Sequence, residues 1–342
     1  MHMSVARSRT RHRALTGAVA LAAAAALALV ADTGAVAQGS TRSAEECATT
    51  SASHLRVRPG SAQGEDPNSV SARRAATAQR KLVKRVGRMQ AAGTLSKAGG
   101  KKGGGPVTIK TWVHVITKKN GTGGVAPWQV KKQVAVLNKA FAGRTAGTAA
   151  PSPIRFALAG TTVTKNDKWH DWGLDPQTDE DDAEAMAAKR ALHKGGMNTL
   201  NIYVASLEDG LLGYATFPWD RKGRLDGVVV LNESLPGGDS ERFNLGDTGT
   251  HEVGHWLGLF HTFENGCNPP GDYIKDTPAQ DDGDNVFYCG DNPEFGRDTC
   301  PQPGKDPIHN FMSYGDDPCL NKFTPEQAKR MTQVWFGFRR GR

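Results

Sequence analysis

The chain has 342 residues, enough for a sizeable core, with a formal net charge of +8 and five cysteines. The excess positive charge belongs to the first 105 residues: residues 106–342 carry 26 basic and 30 acidic side chains, a net of −4, which argues against reading the charge as a nucleic-acid footprint. After Val30 no stretch is apolar and long enough to cross a bilayer.

Residues 1–37 begin with Arg7, Arg9, Arg11 and Arg13, continue as an apolar run from Ala14 to Val30, and end in Ala35-Val36-Ala37. A basic leader, a short apolar run and a small-residue cleavage site describe a secretory signal peptide, so the mature product is expected outside the cell with no membrane anchor. Residues 38–105 are polar, rich in Ala, Ser, Arg and Lys, and run into AGGKKGGGP (98–106), a flexible joint open to proteases. They read as a pro-segment or as a plain linker, with a helix from about Ser71 to Ala92 that sets Leu82, Val86 and Met89 on one face.

Beyond the joint, VTIKTWVHVI (107–116) reads as a strand, and PWQVKKQVAVLNKAFAG as a helix with proline in its first turn and Val130, Val134, Leu137 and Phe141 in one stripe. PIRFALAGTTV (153–163) is a second strand. Asp179-Glu180-Asp181-Asp182 precede a helix reaching about His193, where acids complement the helix dipole better than they would hold a metal. LNIYVASL (200–207) and GVVVLNESL (227–235) are two more strands, and the next helix begins after Gly246-Asp247-Thr248. From Thr262 to about Asn310 the sequence is rich in Gly, Pro, Asp and Cys and lacks a clear period, so disulfides must hold it, with or without bound ions. FTPEQAKRMTQVWFGF closes the chain as a helix, with Thr324 as cap, Pro325 in the first turn and Gln327 completing a capping box. The order implies an α+β fold: an α/β-type upper half with a mixed twisted sheet, and an irregular disulfide-stapled lower half.

Chemistry concentrates in HEVGHWLGLFH (251–261). His251 and His255 are four apart and share a helix face. On an unbroken helix His261 would be turned roughly 240° away and carried about 9 Å along the axis, so it joins the pair only if the helix stops and the chain turns back. Gly258 stands where that break must fall, and glycine tolerates a left-handed helix end. Three imidazoles leave the fourth position of a tetrahedral zinc open for water, and Glu252 is placed to act on that water as general base. A core helix with satisfied histidines explains Val253, Trp256, Leu257, Leu259 and Phe260, but neither the glycine nor the third histidine.

Cys267, Cys289, Cys300 and Cys319 form an even set, which in a secreted chain reads as two disulfides with three pairings open. Cys47 is left over inside the pro-segment. Its thiolate suits the open zinc position and would keep a precursor inactive; a free or intermolecularly bonded thiol is the plain alternative.

HEVGHWLGLFHTF, GDYIKDTP (271–278), the four later cysteines, Asn310-Phe311-Met312-Ser313-Tyr314 and FTPEQAKRM together resemble the metzincins, and within them the ulilysin-like pappalysins. The resemblance implies a zinc peptidase with His251, His255 and His261 as ligands and Glu252 as general base and later proton donor. It makes Tyr314 the stabiliser of the tetrahedral intermediate and sets Met312 beneath the histidines as a packing residue. It also implies disulfides Cys267–Cys300 and Cys289–Cys319, a calcium site using Asp276 and Thr277 with Asp272 behind them, and Cys47 as the latency ligand. Asp276 and Thr277 read equally as turn residues. One position departs from the pattern: such members carry an aspartate just before the last cysteine that favours arginine in the substrate, whereas Pro318 stands here after Asp316-Asp317. The arginine preference is therefore not carried over. The reading as a whole is a secreted zinc endopeptidase, made as a latent precursor, released by an activating protease and acting on proteins or peptides. The alternative is a non-catalytic zinc-containing binding protein, which would be expected to have lost Glu252 or a ligand.

Overall fold

The computed structural model describes residues 66–93, 106–174, 181–220, 222–281 and 297–340. The expected signal peptide, Cys47, Cys289, Asp179 and Glu180 lie outside those residues.

The core of the fold is a sheet whose strands run β1 (Val107–Thr117), β2 (Ile154–Lys165), β3 (Asp171–Trp172), β4 (Thr199–Leu207), β5 (Gly213–Ala215) and β6 (Val228–Leu231) along the chain. Their spatial order is β2-β1-β4-β6-β5, with β3 extending the side of β4. All pairings are parallel except β5 with β6, so β5 is an antiparallel edge. An inner parallel strand is covered on both faces, which is why β4 is mostly apolar. Leu200, Ile202 and Val204 face one core with β1 and the helices α2 (Pro127–Phe141) and α5 (Asp247–Trp256). Tyr203, Ala205 and Leu207 face a second core built with Trp172 and the helix α4 (Ala183–Leu192). A short helical turn, α3 (Asp167–His170), precedes β3.

Local chemistry sets the element ends. The Gln129 side chain accepts from Ala126 N at 2.8 Å and opens α2. Asp182 accepts from Ala185 N at 2.7 Å and caps α4, while Asp181 pairs with buried Lys189 at 2.6 Å, so the acids at this helix start serve the fold. Thr324 and Gln327 form the expected capping box at α6 (Pro325–Val334), which runs into a single π turn, Trp335–Arg339. The strand expected over 227–235 is shorter. It ends at Leu231, because Ser234 Oγ donates to Leu231 O and the Asn232 amide donates to Gly123 O, drawing Asn232–Ser234 into a 3-10 turn. The loop strand β5 was not anticipated.

Helix α1 (Ala72–Ala91) lies in the expected place, with the Ser71 hydroxyl accepting from Arg74 N. It is docked, not solvated. Val70, Ala75 and Ala78 pack with Phe217, Trp219 and Phe260, and the Arg85 guanidinium lies 4.3 Å above the Phe338 ring. Disulfide Cys267–Cys300 staples the irregular lower part, and Cys319 is also disulfide-bonded. No helix among the described residues is long and apolar enough to cross a membrane.

Candidate active site

All ten residues of α5 are buried. Its N-terminus is fixed by the Asp317 carboxylate, which accepts from Leu245 N, Gly246 N and Asp247 N at 2.7, 3.1 and 3.3 Å, a favourable charge at the positive end of the helix dipole. Its C-terminus closes as a Schellman motif. Gly258 N donates to His255 O at 2.8 Å and Leu259 N to Gly254 O at 3.0 Å, with Gly258 at φ 85°. A Cβ at Gly258 would also stand 2.8 Å from Val334, so both backbone and space require glycine. The chain then doubles back, as the spacing demanded.

That reversal brings the three histidines together. His255 Nε2 is 3.0 Å from His251 Nε2 and 3.0 Å from His261 Nε2, and all three side chains are buried. His251 Nδ1 donates to Phe311 O at 2.6 Å and His255 Nδ1 to Leu259 O at 2.9 Å. With the protons held on Nδ1, the Nε2 lone pairs converge on one point, the donor set and open geometry of a catalytic zinc. Among the described residues this is the one cluster of at least three His, Cys, Asp or Glu side chains placed to hold a metal.

Phe311 O, which orients His251, belongs to the turn carrying Met312. Met312 is fully buried, and its carbonyl accepts from Thr262 N at 3.1 Å. Gln280 ties the same turn to the loop after His261, accepting from Thr262 Oγ1 at 2.8 Å and donating to Ser313 Oγ at 3.3 Å. The Tyr314 ring lies 5.0 Å from His261 and 6.0 Å from His251, and its buried hydroxyl has no hydrogen-bond partner among the described residues. Glu252 is buried between α5 and the edge strand: a Cβ added to Gly213 of β5 would meet Glu252 Cγ at 3.0 Å and Oε1 at 3.2 Å. Phe263 stacks on His261 at 4.7 Å, and Phe217 meets His255 edge-on at 5.5 Å. These rings were not anticipated.

Asp276 and Thr277 sit apart from the histidines and are engaged in the loop. The Asp276 carboxylate accepts from Thr324 Oγ1 at 2.6 Å and Glu326 N at 2.9 Å, capping α6; the Thr277 hydroxyl lies 2.8 Å from both Asp272 oxygens. Burial pushes the Asp272 carboxyl up to about 7. Burial first, then the charges of Asp66 and Asp272, push Glu264 up to about 8. Asp66 is the residue the sequence did not offer: its Oδ2 lies 3.3 Å from His261 Nε2.

Three converging imidazoles above a methionine turn, below a mixed sheet with an antiparallel edge strand, define a metzincin-type metallopeptidase. The profile of the Peptidase M43 family, described as pregnancy-associated plasma protein-A, matches residues 191–335, and an extracellular metalloprotease of Verticillium alfalfae is 41% identical over 242 residues, 68% of this chain and 79% of that protein. The chain belongs to the M43, or pappalysin, family and is an extracellular metalloprotease. A Pyricularia oryzae extracellular metalloprotease is likewise 41% identical over 243 residues, covering 69% of this chain and 77% of that one. Among solved structures, mature mirolysin of Tannerella forsythia with a cleaved peptide matches with TM-score 0.56 and 29% identity over 69% of this chain and 94% of its own. A promirolysin variant matches with TM-score 0.57 and 26% identity over 75% of this chain and 90% of its own. Membership in a family of proteases sets aside the non-catalytic alternative.

Proposed function

We propose that the chain is a zinc endopeptidase, made as a latent precursor, that hydrolyses peptide bonds in extracellular proteins or peptides. The observation that carries this reading is the convergence of three Nε2 atoms, two of them with their Nδ1 protons fixed on backbone carbonyls, beside the buried carboxylate of Glu252. His251, His255 and His261 would hold the zinc, which when bound polarises the scissile carbonyl and acidifies the attacking water. Glu252 takes the proton from that water and returns it to the leaving nitrogen. The Tyr314 hydroxyl, buried and unclaimed by the described residues, donates to the carbonyl oxygen as negative charge develops. Met312 forms the floor under the ligands. Substrate lies extended along the outer edge of β5, whose Ala215 N–H and C=O, held here by the Asn68 carboxamide, become available to a strand when the pro-segment leaves.

In this reading residues 1–37 are the signal peptide, 38–105 the pro-segment with its joint, and 106–342 the catalytic domain. Cys289 is the partner of Cys319. The test is peptide-library digestion by the full chain after limited proteolysis of its 98–106 joint, beside the same preparation of Glu252→Ala. Cutting by the native chain alone, abolished by a zinc chelator and restored by zinc, is the expected result. Equal zinc content with no cutting by either would sink the proposal.

A further inference from the structure

Arg330 of α6 is a buried cation set under helix α1, with only 4% of the residue exposed. Its Nε–H donates to Gly258 O at 2.7 Å, which steadies the turn that closes the ligand helix. Nη1 reaches α1 instead, donating to the Gln79 side-chain oxygen at 2.6 Å. Nη2, also buried, has no hydrogen-bond partner among the described residues. Burial holds the guanidinium down at about 10, against the charges of Asp272 and Tyr273. A cation out of water with one neutral side-chain acceptor is under-compensated. A carboxylate in place of the Gln79 amide would bring two acceptor oxygens and the opposite charge to the Nη1–Nη2 pair.

The catalytic domain surrounds this cation with rings. Arg330 lies 5.1 Å above Phe260, which packs against Phe217 and Trp219 at 5.7 and 5.5 Å, with Tyr273 and Phe338 at the margin. In the precursor the pro-segment covers that cluster with one valine and two alanines, Val70, Ala75 and Ala78. The buried Trp219 Nε1–H likewise has no acceptor among the described residues. When α1 leaves, the rings and Arg330 reach solvent together, an apolar patch of the kind that marks an interaction site, with the Trp and Arg anchors that dominate interfaces. The patch adjoins the substrate's edge: Asn68 takes both main-chain groups of Ala215, two residues before Phe217. A purely structural Arg330 explains the bond to Gly258, but not a second bond to a segment that is removed.

We propose that Arg330 and the rings around it form a substrate-recognition site outside the cleft of the activated enzyme, which takes a carboxylate side chain carried on an apolar stretch of a protein substrate. Gln79 and its small apolar neighbours hold that place in the precursor. The proposal rests on the peptidase reading above.

The first readout needs no catalysis. In the full chain carrying Glu252→Ala, Gln79→Glu should raise the melting temperature and Gln79→Leu should lower it; a Glu variant melting at or below the parent would overturn the proposal. The second uses the processed Glu252→Ala enzyme, separated from its pro-segment, titrated with a labelled peptide of residues 70–93. The Gln79→Glu peptide should bind at least about tenfold more tightly than the native one, and Arg330→Gln in the enzyme should erase that ratio. Equal affinity of the two peptides, or a ratio that survives Arg330→Gln, would overturn it. The third uses the processed native enzyme with the Gln79→Glu peptide as competitor, which lacks the Asn68 contact with β5. It should raise the KM for dephosphorylated casein, an unfolded acidic protein, at unchanged kcat, and leave a short quenched peptide untouched. Equal inhibition of both substrates would place the peptide in the cleft, and no inhibition of either would remove the role in substrate recognition. Failure of the processed native enzyme to cut anything would instead sink the peptidase reading, while the melts and titrations would still judge whether Arg330 takes a carboxylate.

Discussion

Gly254 and Met312 meet with no room for a side chain between them: a Cβ on Gly254 would stand 2.4 Å from Met312 Sδ. The glycine inside HEVGH therefore lets the methionine turn reach the underside of the ligand helix, and Phe311 O, one residue before the methionine, reaches His251. Gly254→Ala should force the two apart. The expected cost is that of overpacking, about 1–3 kcal/mol in denaturant unfolding of the zinc-loaded chain, with weaker zinc retention in competition with a chelator. Unchanged stability and metal retention would show that the turn can yield without disturbing His251.

The far end of α5 depends on a residue near the chain's C-terminus. Arg339 is fully buried, donates to both oxygens of Asp226 at 2.7 Å, and also donates to Trp256 O at 3.0 Å and Thr216 O at 3.0 Å. It links the last turn of the ligand helix to the segment leaving β5. Arg339→Met leaves the Asp226 charge buried without its cation, and breaking such a pair costs about 3–5 kcal/mol. Adding Asp226→Asn should return part of that loss, since the stranded charge is then gone. Equal unfolding midpoints for the single and double variants would contradict this account.

The histidine site was legible because its logic is local. The i,i+4 spacing of His251 and His255, the offset of His261 and the intervening Gly258 left one geometric solution, and the Schellman closure at Gly258 is that solution. Helix α1, the cap at Thr324 and the two-faced burial of β4 follow from equally short-range patterns. What could not be read is long-range or too short. Strand β5 has three residues, fewer than a two-residue period needs to declare itself. Asp66 and Arg339 act on partners far away in sequence, through contacts that no spacing rule encodes. Gly254 lies inside the motif, yet its reason is Met312, which arrives from another part of the chain.

Asp272 gives the loop below the site a pH signature. Burial raises its carboxyl to about 7 in the fold, against about 4 in an unfolded chain. A raised acid favours the fold most below its unfolded value, and that contribution fades as pH rises from about 4 through about 7. Asp272→Asn should therefore be more stable than the native chain above pH 7 in calcium-free buffer, and less favoured by acid. If calcium binds Asp272, Asp276 and Thr277, the same substitution should lower the melting temperature in millimolar calcium and abolish any calcium-induced rise. Thermal melts at pH 5 and 8, with and without calcium, separate the outcomes, and a variant that tracks the native chain throughout would refute the buried-acid account.

The acids that precede the last cysteine are already committed. Asp316 is fully buried and paired with Arg242 at 2.7 Å, and Asp317 holds the N-terminus of α5. Pro318, the position at which ulilysin-like members carry the acid, is exposed and uncharged. No carboxylate from this stretch is left to meet a substrate guanidinium, so library digestion should show no arginine enrichment at the residue beside the cut. Pro318→Asp would place a carboxylate at an exposed position, where an ion pair contributes about 1 kcal/mol at most. The expected gain in arginine enrichment is accordingly no more than about fivefold. Strong arginine selection by the native chain would mean that the Arg242–Asp316 pair opens to admit substrate, and Arg242→Gln would then sharpen that selection instead of leaving it unchanged.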